Sequence, residues 1–184
     1  MQTAPRNLTL EAFLQLPETR PASEFIHGKI YQKAMPRGEH SRLQYKFCST
    51  VNQIAEPAKI ACAFPELRCI FGGHAIVPDV AVFRWEGIPR DASGRVANRF
   101  ESAPDWSIEI LSPDRSLTKV LENLLLCSRY GTELGWLINP IEEIILAIFP
   151  EQRIEIFRGE TSLPILPGIE IELTVDRVFA WLQI

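Results

Sequence analysis

The chain has no run of about 20 apolar residues, the length that a membrane-spanning helix needs. Its first residues have neither the basic start nor the long apolar stretch of a secretory signal peptide. It has only four cysteines, and no two of them form a CxxC pair, so buried free thiols are favoured over a zinc site. These absences predict a soluble, reduced, cytoplasmic protein that does not engage a membrane.

Positive charge is also scarce, since 19 Lys and Arg residues stand against 23 Asp and Glu residues, a formal net charge of −4. Contacts to nucleic-acid phosphates need clustered Lys and Arg. The balance therefore argues against non-specific nucleic-acid binding by the whole surface, although it is compatible with one basic groove. A length of 184 residues with 46% hydrophobic and 23% charged residues predicts a single globular domain over residues 1–184.

Hydrophobic spacing and turn residues predict an α/β protein. Helices are expected over Leu8–Leu16 (capped by Thr9 or Asn7), His40–Ala55, Ser112-Pro113-Asp114 to Tyr130, and Val175–Leu182. Strands are expected in a hairpin over Glu24–Tyr31, then at Ile60–Phe64, Leu67–Phe71, Ala75–Trp85, Asp105–Leu111, Trp136–Ile138, Ile144–Phe149 and Ile154–Phe157. The strand–helix–strand order over residues 105–138 is typical of a parallel βαβ unit, which predicts a central mixed sheet flanked by helices.

Two carboxylates interrupt apolar, β-branched segments. Asp79 lies in Pro78–Phe83 and Glu109 in Trp106–Leu111, where an unpaired charge would be costly to bury. If the two strands are neighbours, these acids converge and can hold a hard divalent cation such as Mg²⁺, with the Ile110 carbonyl as a further ligand. Such an ion could lower the pKa of a bound water and stabilise charge on a phosphate. Glu24 could supply another carboxylate.

Other interpretations of these residues remain open. Asp79 could simply begin a strand and accept a bond from a turn amide, and an ion pair with Arg68 or Arg84 could satisfy Glu109. His40 begins a helix beside basic residues, so it could contact phosphate or assist proton transfer, or it could lie at a solvated helix start.

In a metal-dependent nuclease a cationic side chain would be expected two residues after Glu109. That position is Leu111 in this chain.

Seven short segments stand in a specific order and spacing: Leu10–Leu14, Glu24–Ile30, Met35-Pro36 followed by His40, Val77–Val82, Ile108–Pro113, Gly135–Pro140 and Leu166–Ile169. Together they resemble the Uma-two, restriction-endonuclease-like family of bacterial proteins, within the PD-(D/E)XK nuclease superfamily. The resemblance covers most of the chain. It implies a restriction-endonuclease-like α/β core, a central mixed β-sheet flanked by helices, and descent from nucleases, with DNA as the favoured substrate and RNA left open.

The same resemblance implies functions for individual residues. Asp79 and Glu109 correspond to the family's ligands for Mg²⁺ or Mn²⁺. Glu24 matches an acidic position of the N-terminal hairpin, near the same site, and His40 matches the family's histidine after the Pro loop.

The chain departs from the family at a lysine that the helix after Glu109 usually supplies. Ungapped alignment puts Asn123 at this position and Cys127 at the family's tyrosine. A neutral amide cannot replace an ammonium that stabilises charge on the reacting groups. Lys119, one helical turn upstream on the same face, is the nearest substitute, with an exposed helix residue as the alternative.

Two functions therefore remain in competition. The first is a Mg²⁺-dependent DNA endonuclease that hydrolyses phosphodiester bonds, with Asp79, Glu109, Lys119, Glu24 and His40 as its catalytic residues. The second is a catalytically impaired relative that serves as a nucleic-acid-binding or protein-interaction module. Either function is compatible with a homodimer that pairs through the apolar strand near Trp136 or the hairpin over Ile141–Phe149.

Overall fold

The structure is a computed structural model that describes residues 8–113 and 115–184. Its helices are α1 (Leu10–Leu14), α2 (Gly38–Ala55), α3 (Leu117–Arg129) and α4 (Val175–Ala180). Its strands are β1 (Ser23–Ile26), β2 (Lys29–Gln32), β3 (Ala61–Pro65), β4 (Cys69–Phe71), β5 (His74–Ile76), β6 (Val80–Arg84), β7 (Trp106–Ile110), β8 (Leu134–Asn139), β9 (Ile144–Ile148) and β10 (Ile154–Arg158). Thr9 and Thr174 cap α1 and α4 through their hydroxyls, while Asn7 and Asp114 lie outside the described residues.

The strands form two sheets. The larger has the order β10-β9-β8-β7-β6-β3 and is mixed, because β7 and β8 are parallel and its other neighbours are antiparallel. The smaller has the order β2-β1-β5-β4. Helix α3 is the crossover between β7 and β8, as the strand–helix–strand order predicts. The expected fold class, a mixed sheet with flanking helices, is confirmed.

Helix α2 packs one stripe of side chains on the large sheet. His40, Leu43, Phe47, Val51 and Ala55 recur at helical spacing and are all buried. The Phe47 ring contacts the buried indoles of β7 and β8 edge-on, with ring centres 5.0 and 5.5 Å apart. Because His40 begins this stripe, its imidazole points inward rather than to solvent. The alternative of a solvated helix start is therefore wrong.

The segment Ala75–Trp85 is two strands in two sheets, and the expectation of one continuous strand is wrong. β5 pairs in the small sheet and β6 in the large one, and Asp79 lies at the bend between them. Pro78 supplies the physical reason, since it has no N–H to donate to a ladder. The break moves Asp79 from a strand interior to the point where the chain changes sheets.

Strand β8 is buried along its whole length between β7 and β9, and Trp136 is fully enclosed. The prediction of a dimer interface at this strand is therefore wrong. Ile141, in the turn after β8, is 67% exposed, so pairing through the Ile141–Phe149 hairpin stays a prediction that sizing chromatography tests. Among the described residues, no helix has the length and apolar character to cross a bilayer.

Candidate active site

The register of β6 and β7 brings the two acids together. Val80 pairs with Ile108 in this antiparallel ladder, so the next residue outward, Asp79, comes beside Glu109. Both side chains are 1% exposed. The Asp79 carboxylate accepts a hydrogen bond of 2.7 Å from the backbone N–H of Ile110, which ties the two segments together. The sequence-based expectation that Asp79 and Glu109 converge therefore holds in the geometry.

A lysine outside the set of residues predicted from the sequence lies between these acids. Lys33, which follows β2, donates from Nζ to Asp79 Oδ1 at 2.6 Å and to the Val77 carbonyl at 2.6 Å. The same Nζ is 3.7 Å from Glu109 Oε2. Only 7% of the side chain is exposed. The ammonium is thus a shared counter-ion of both carboxylates.

Arg115 is the second shared counter-ion. Its Nη1 donates to Glu109 Oε2 at 2.9 Å and lies 3.8 Å from Asp79 Oδ2. It precedes α3 and is 14% exposed. Arg68 and Arg84 instead pair with Glu18 and Glu133, so the expectation that one of them neutralises Glu109 is wrong.

His40 and Gln44, one helical turn apart on α2, hold Asp79 from the other side. His40 Nε2 lies 3.1 Å from Asp79 Oδ2, and the Gln44 amide donates to the Asp79 carbonyl at 2.7 Å. Asp79 is consequently fixed by contacts from four separate segments of the chain. This many constraints on one carboxylate is typical of a preorganised site.

Glu24 supports the site from the small sheet. Its Oε1 accepts from the Val77 N–H at 2.9 Å, and its Oε2 accepts from Asn123 Nδ2 at 3.2 Å. Asn123, at the family's lysine position, therefore connects α3 to the hairpin of β1 and β2. Glu24 is 3% exposed, and its bond to Val77 constrains the backbone two residues before Asp79.

Replacing Glu24 with alanine is expected to lower the free energy of unfolding by about 1–3 kcal/mol, because the buried Val77 N–H loses its acceptor. Urea denaturation followed by circular dichroism measures the change. Glu11→Ala, on the exposed face of α1, is the control and should stay within about 0.5 kcal/mol of the wild type. A Glu24→Ala variant as stable as this control would contradict the supporting function of Glu24.

The ammonium of Lys119 lies against an aromatic ring and not against the acids, where the sequence made it the candidate. Its Nζ lies 4.5 Å from the centre of the Tyr31 ring, a cation–π contact with the β2 strand. The side chain belongs to an exposed residue of α3. Leu111 is buried with Val120 and Leu124, so the position two residues after Glu109 contributes to the core. Among the described residues, the ammonium in contact with the acids is that of Lys33.

The electrostatic environment shifts the pKa values of the two acids in opposite directions. Burial alone would raise the pKa of Asp79, but the Lys33 charge, the hydrogen bond from His40 and the Arg115 charge outweigh it and hold this pKa well below its usual range. Burial dominates at Glu109 and, with the charge of Asp79, raises its pKa to about 7 despite Lys33 and Arg115. The surroundings therefore favour the charged form of Asp79 and oppose the charged form of Glu109.

The donor set fits a divalent cation. The described residues contain no group of three or more His, Cys, Asp and Glu side chains arranged as a complete metal site. Mg²⁺, however, is commonly held by one or two carboxylates with waters completing its shell. Glu109 Oε1 is buried and has no hydrogen-bond partner among the described residues, which leaves one carboxylate oxygen for a ligand. Asp79 and Glu109 would hold the ion once Lys33 or Arg115 has shifted.

A cavity of about 660 Å³ opens beside the acids, between the hairpin of β1 and β2 and helix α3. Lys33, Arg115, Lys119, Tyr31 and Arg129 are among the residues that line it. A ligand in this cavity would therefore reach the two cations that cover Asp79 and Glu109.

Comparisons with known proteins agree with this geometry. A solved structure, described as "a putative nuclease belonging to DUF820 from Anabaena variabilis ATCC 29413", is 49% identical, with a TM-score of 0.93 over 95% of this chain and 99% of the other. No curated protein of assigned function matches the chain.

The family model Uma2 (Uma-two), described as "Putative restriction endonuclease", matches residues 10–176. This match includes β1 to β10, α3 and the acid cluster, which consists of Asp79, Glu109 and the residues that contact them, Lys33, Arg115 and His40. The chain belongs to the Uma2 family of restriction-endonuclease-like proteins.

Proposed function

We propose that the protein is a divalent-metal-dependent DNA endonuclease, with Asp79 and Glu109 as the metal ligands and Mg²⁺ or Mn²⁺ as the cofactor. One observation carries the proposal: the two buried carboxylates share both Lys33 and Arg115 as partners within 4.0 Å. The nuclease-like family and neighbour support it. The Ile110 carbonyl remains the proposed third protein ligand.

A bound cation would acidify an attacking water and neutralise phosphate charge at this position. Lys33 supplies the ammonium that Asn123 cannot, since its Nζ contacts Asp79 directly. Its positive charge stabilises the negative charge that builds up around the phosphorus during attack. In this proposal Lys33 takes the function first considered for Lys119.

Arg115 is the group that meets the substrate. It is the more exposed of the two cations, and its guanidinium can exchange the Glu109 carboxylate for a phosphate oxygen without losing charge-assisted hydrogen bonds. That exchange frees Glu109 Oε2 at the moment when the phosphate arrives. His40 and Glu24 act as positioning residues, His40 through Asp79 itself and Glu24 through the Val77 backbone.

The direct test incubates purified protein with supercoiled plasmid and with single-stranded DNA, in Mg²⁺, in Mn²⁺ and in EDTA. Cleavage with either metal and none in EDTA is the expected result. Clean protein that cuts neither DNA form with either metal would overturn the proposal.

A second function, a catalytically impaired relative that binds nucleic acid or protein, is favoured by a different observation. Lys33 and Arg115 already neutralise carboxylates that are almost wholly enclosed, and Asn123 stands where the resemblance implies a lysine. This alternative expects a retained fold with no cleavage and weak or absent metal binding. Tight Mn²⁺ binding by calorimetry that is lost in Glu109→Ala would exclude it.

Metal affinity is expected to decrease as the pH is lowered, because Glu109 must lose its proton to bind a cation. With a pKa of about 7, affinity for Mn²⁺ should be nearly constant above pH 8 and roughly 30-fold weaker at pH 5.5, as tenfold per unit requires. The raised pKa of Glu109 also stabilises the folded state. This stabilisation is complete at pH values below the ordinary pKa of a glutamate and is lost as the pH rises through 7. Mn²⁺ should consequently raise the melting temperature more at pH 8 than at pH 5.5.

Calorimetric titration of Mn²⁺ between pH 5.5 and 8 measures this dependence. Glu109→Gln, which cannot titrate, should bind the metal weakly and with little change across the range. A wild-type affinity that is flat from pH 5.5 to 8 would contradict the assignment of Glu109 as a ligand.

A further inference from the structure

The cavity beside the acids has the size of a small-molecule site rather than of a duplex-binding surface. Its volume of about 660 Å³ lies in the range of ligand pockets, about 300–1,000 Å³. Two secondary-structure elements form its walls, the β1–β2 hairpin on one side and α3 on the other. A nucleotide is of the size that such a pocket encloses, whereas an intact duplex is not.

Positive charge is concentrated in this cavity although the chain as a whole is acidic. Four of its lining residues are cationic and two are acidic: Lys33, Arg115, Lys119 and Arg129 against Glu24 and Glu122. Two of the cations are shared with the acid cluster, and the other two belong to exposed residues of α3. The cavity is therefore a basic groove of the kind that phosphate contacts require, and its residues Lys33 and Arg115 contact Asp79 and Glu109.

An aromatic ring lies in the same wall as Lys33. Tyr31 and Lys33 are two residues apart on an extended segment, so their side chains leave it on the same side. Tyr31 is half-buried, and Lys119 Nζ lies 4.5 Å from the ring centre. An aromatic platform beside cations is the combination with which proteins bind single-stranded nucleic acids, since bases stack on the ring and phosphates pair with the cations.

We propose that this cavity binds one unpaired nucleotide next to the scissile phosphate, with its base stacked on Tyr31 and its phosphate paired with Lys119. The inference rests on the proposed nuclease function and narrows its substrate to DNA that offers an unpaired nucleotide, in a single strand or in a locally unpaired region of a supercoiled plasmid. In an intact duplex both faces of a base are covered by its neighbours, so the base is not free to stack on Tyr31 unless it leaves the helix. Lys119 exchanges the ring for the phosphate when the base arrives.

The test measures binding in EDTA, where no cleavage occurs, by fluorescence anisotropy. The probes are fluorescein-labelled (dT)₁₂, the same backbone with abasic residues in place of thymidines, and a blunt 12-base-pair duplex. Wild type should bind (dT)₁₂ at least roughly fivefold more tightly than the abasic strand, as stacking of a base on an aromatic ring requires. It should also bind (dT)₁₂ more tightly than the duplex.

Variants locate the effect at the cavity. Tyr31→Leu should bind (dT)₁₂ and the abasic strand equally, whereas Tyr31→Phe should retain the wild-type preference. Lys119→Gln should weaken binding to both strands alike. Tyr45→Leu, at a 64% exposed position on α2, is the matched control and should behave as the wild type.

Equal wild-type affinity for (dT)₁₂ and the abasic strand, or a Tyr31→Leu variant that keeps the preference, would overturn the inference. The binding assay in EDTA measures no cleavage, so either proposal can be contradicted without the other. Protein that cuts no DNA but shows Tyr31-dependent binding of (dT)₁₂ would support the nucleotide site and contradict the nuclease function. Protein that cuts DNA but binds (dT)₁₂ independently of Tyr31 would support the nuclease function and contradict the nucleotide site.

Discussion

Replacing Lys33 with methionine is expected to slow DNA cleavage by roughly 100- to 1,000-fold, the usual cost of removing one preorganised electrostatic stabiliser. Methionine keeps most of the length of the side chain but removes the charge that lies 2.6 Å from Asp79 Oδ1 and 3.7 Å from Glu109 Oε2. Initial rates of plasmid cleavage at saturating Mn²⁺ measure the effect.

The same substitution is expected to tighten Mn²⁺ binding by about tenfold or more. In the wild type the ammonium occupies carboxylate oxygens that a metal ion would use, and two positive charges about 4 Å apart repel each other strongly at a partly buried site. Calorimetry on Lys33→Met therefore gives a result opposite in sign to the cleavage assay. Misfolding would weaken both, so the pair of measurements separates a catalytic function from a structural one.

Lys29→Met is the matched control for Lys33→Met, because Lys29 is an exposed lysine at the start of β2, the strand that Lys33 follows. It should leave the cleavage rate and the Mn²⁺ affinity unchanged. If Lys33→Met cut DNA at the wild-type rate, Lys33 would not be the ammonium of the site.

The local sequence contained enough information to find Lys33. A turn at His27-Gly28 sets the hairpin register, in which Glu24 pairs with Tyr31. Residues on one face of a hairpin alternate, so Lys33 follows Tyr31 on the face that carries Glu24. Since Glu24 was already a candidate site residue, extending the register by two residues would have added Lys33. The expectation considered only the helix after Glu109, where the family's lysine usually lies.

Other parts of the site were beyond the reach of sequence patterns. Arg115 follows Glu109 by six residues outside any strand or helix, and no periodicity predicts its contact with that carboxylate. The change of sheet at Asp79 depends on which strands β5 and β6 pair with, a tertiary choice that the apolar run Ala75–Trp85 does not reveal. By contrast, the parallel pairing of β7 and β8 followed from local order, since a crossover helix favours it.

Changing Asp79 to asparagine is expected to abolish detectable cleavage, because only one of the two proposed carboxylate ligands remains. It should also lower the free energy of unfolding by about 3–5 kcal/mol, since it leaves the buried Lys33 ammonium without its closest counter-charge. Asparagine keeps the size of aspartate and an oxygen that can accept from the Ile110 N–H. Plasmid cleavage and urea denaturation measure the two effects.

Lost activity in this variant has two sources, loss of the ligand and loss of stability, and a double variant separates them. In Asp79→Asn with Lys33→Met both buried charges are gone, so most of the lost stability should return. Cleavage should not return, because the restored fold still lacks a carboxylate and the ammonium. A double variant that regained cleavage would contradict the assignment of both residues. One as unstable as Asp79→Asn would show that the stability cost lies in the contact with His40 rather than in the ion pair.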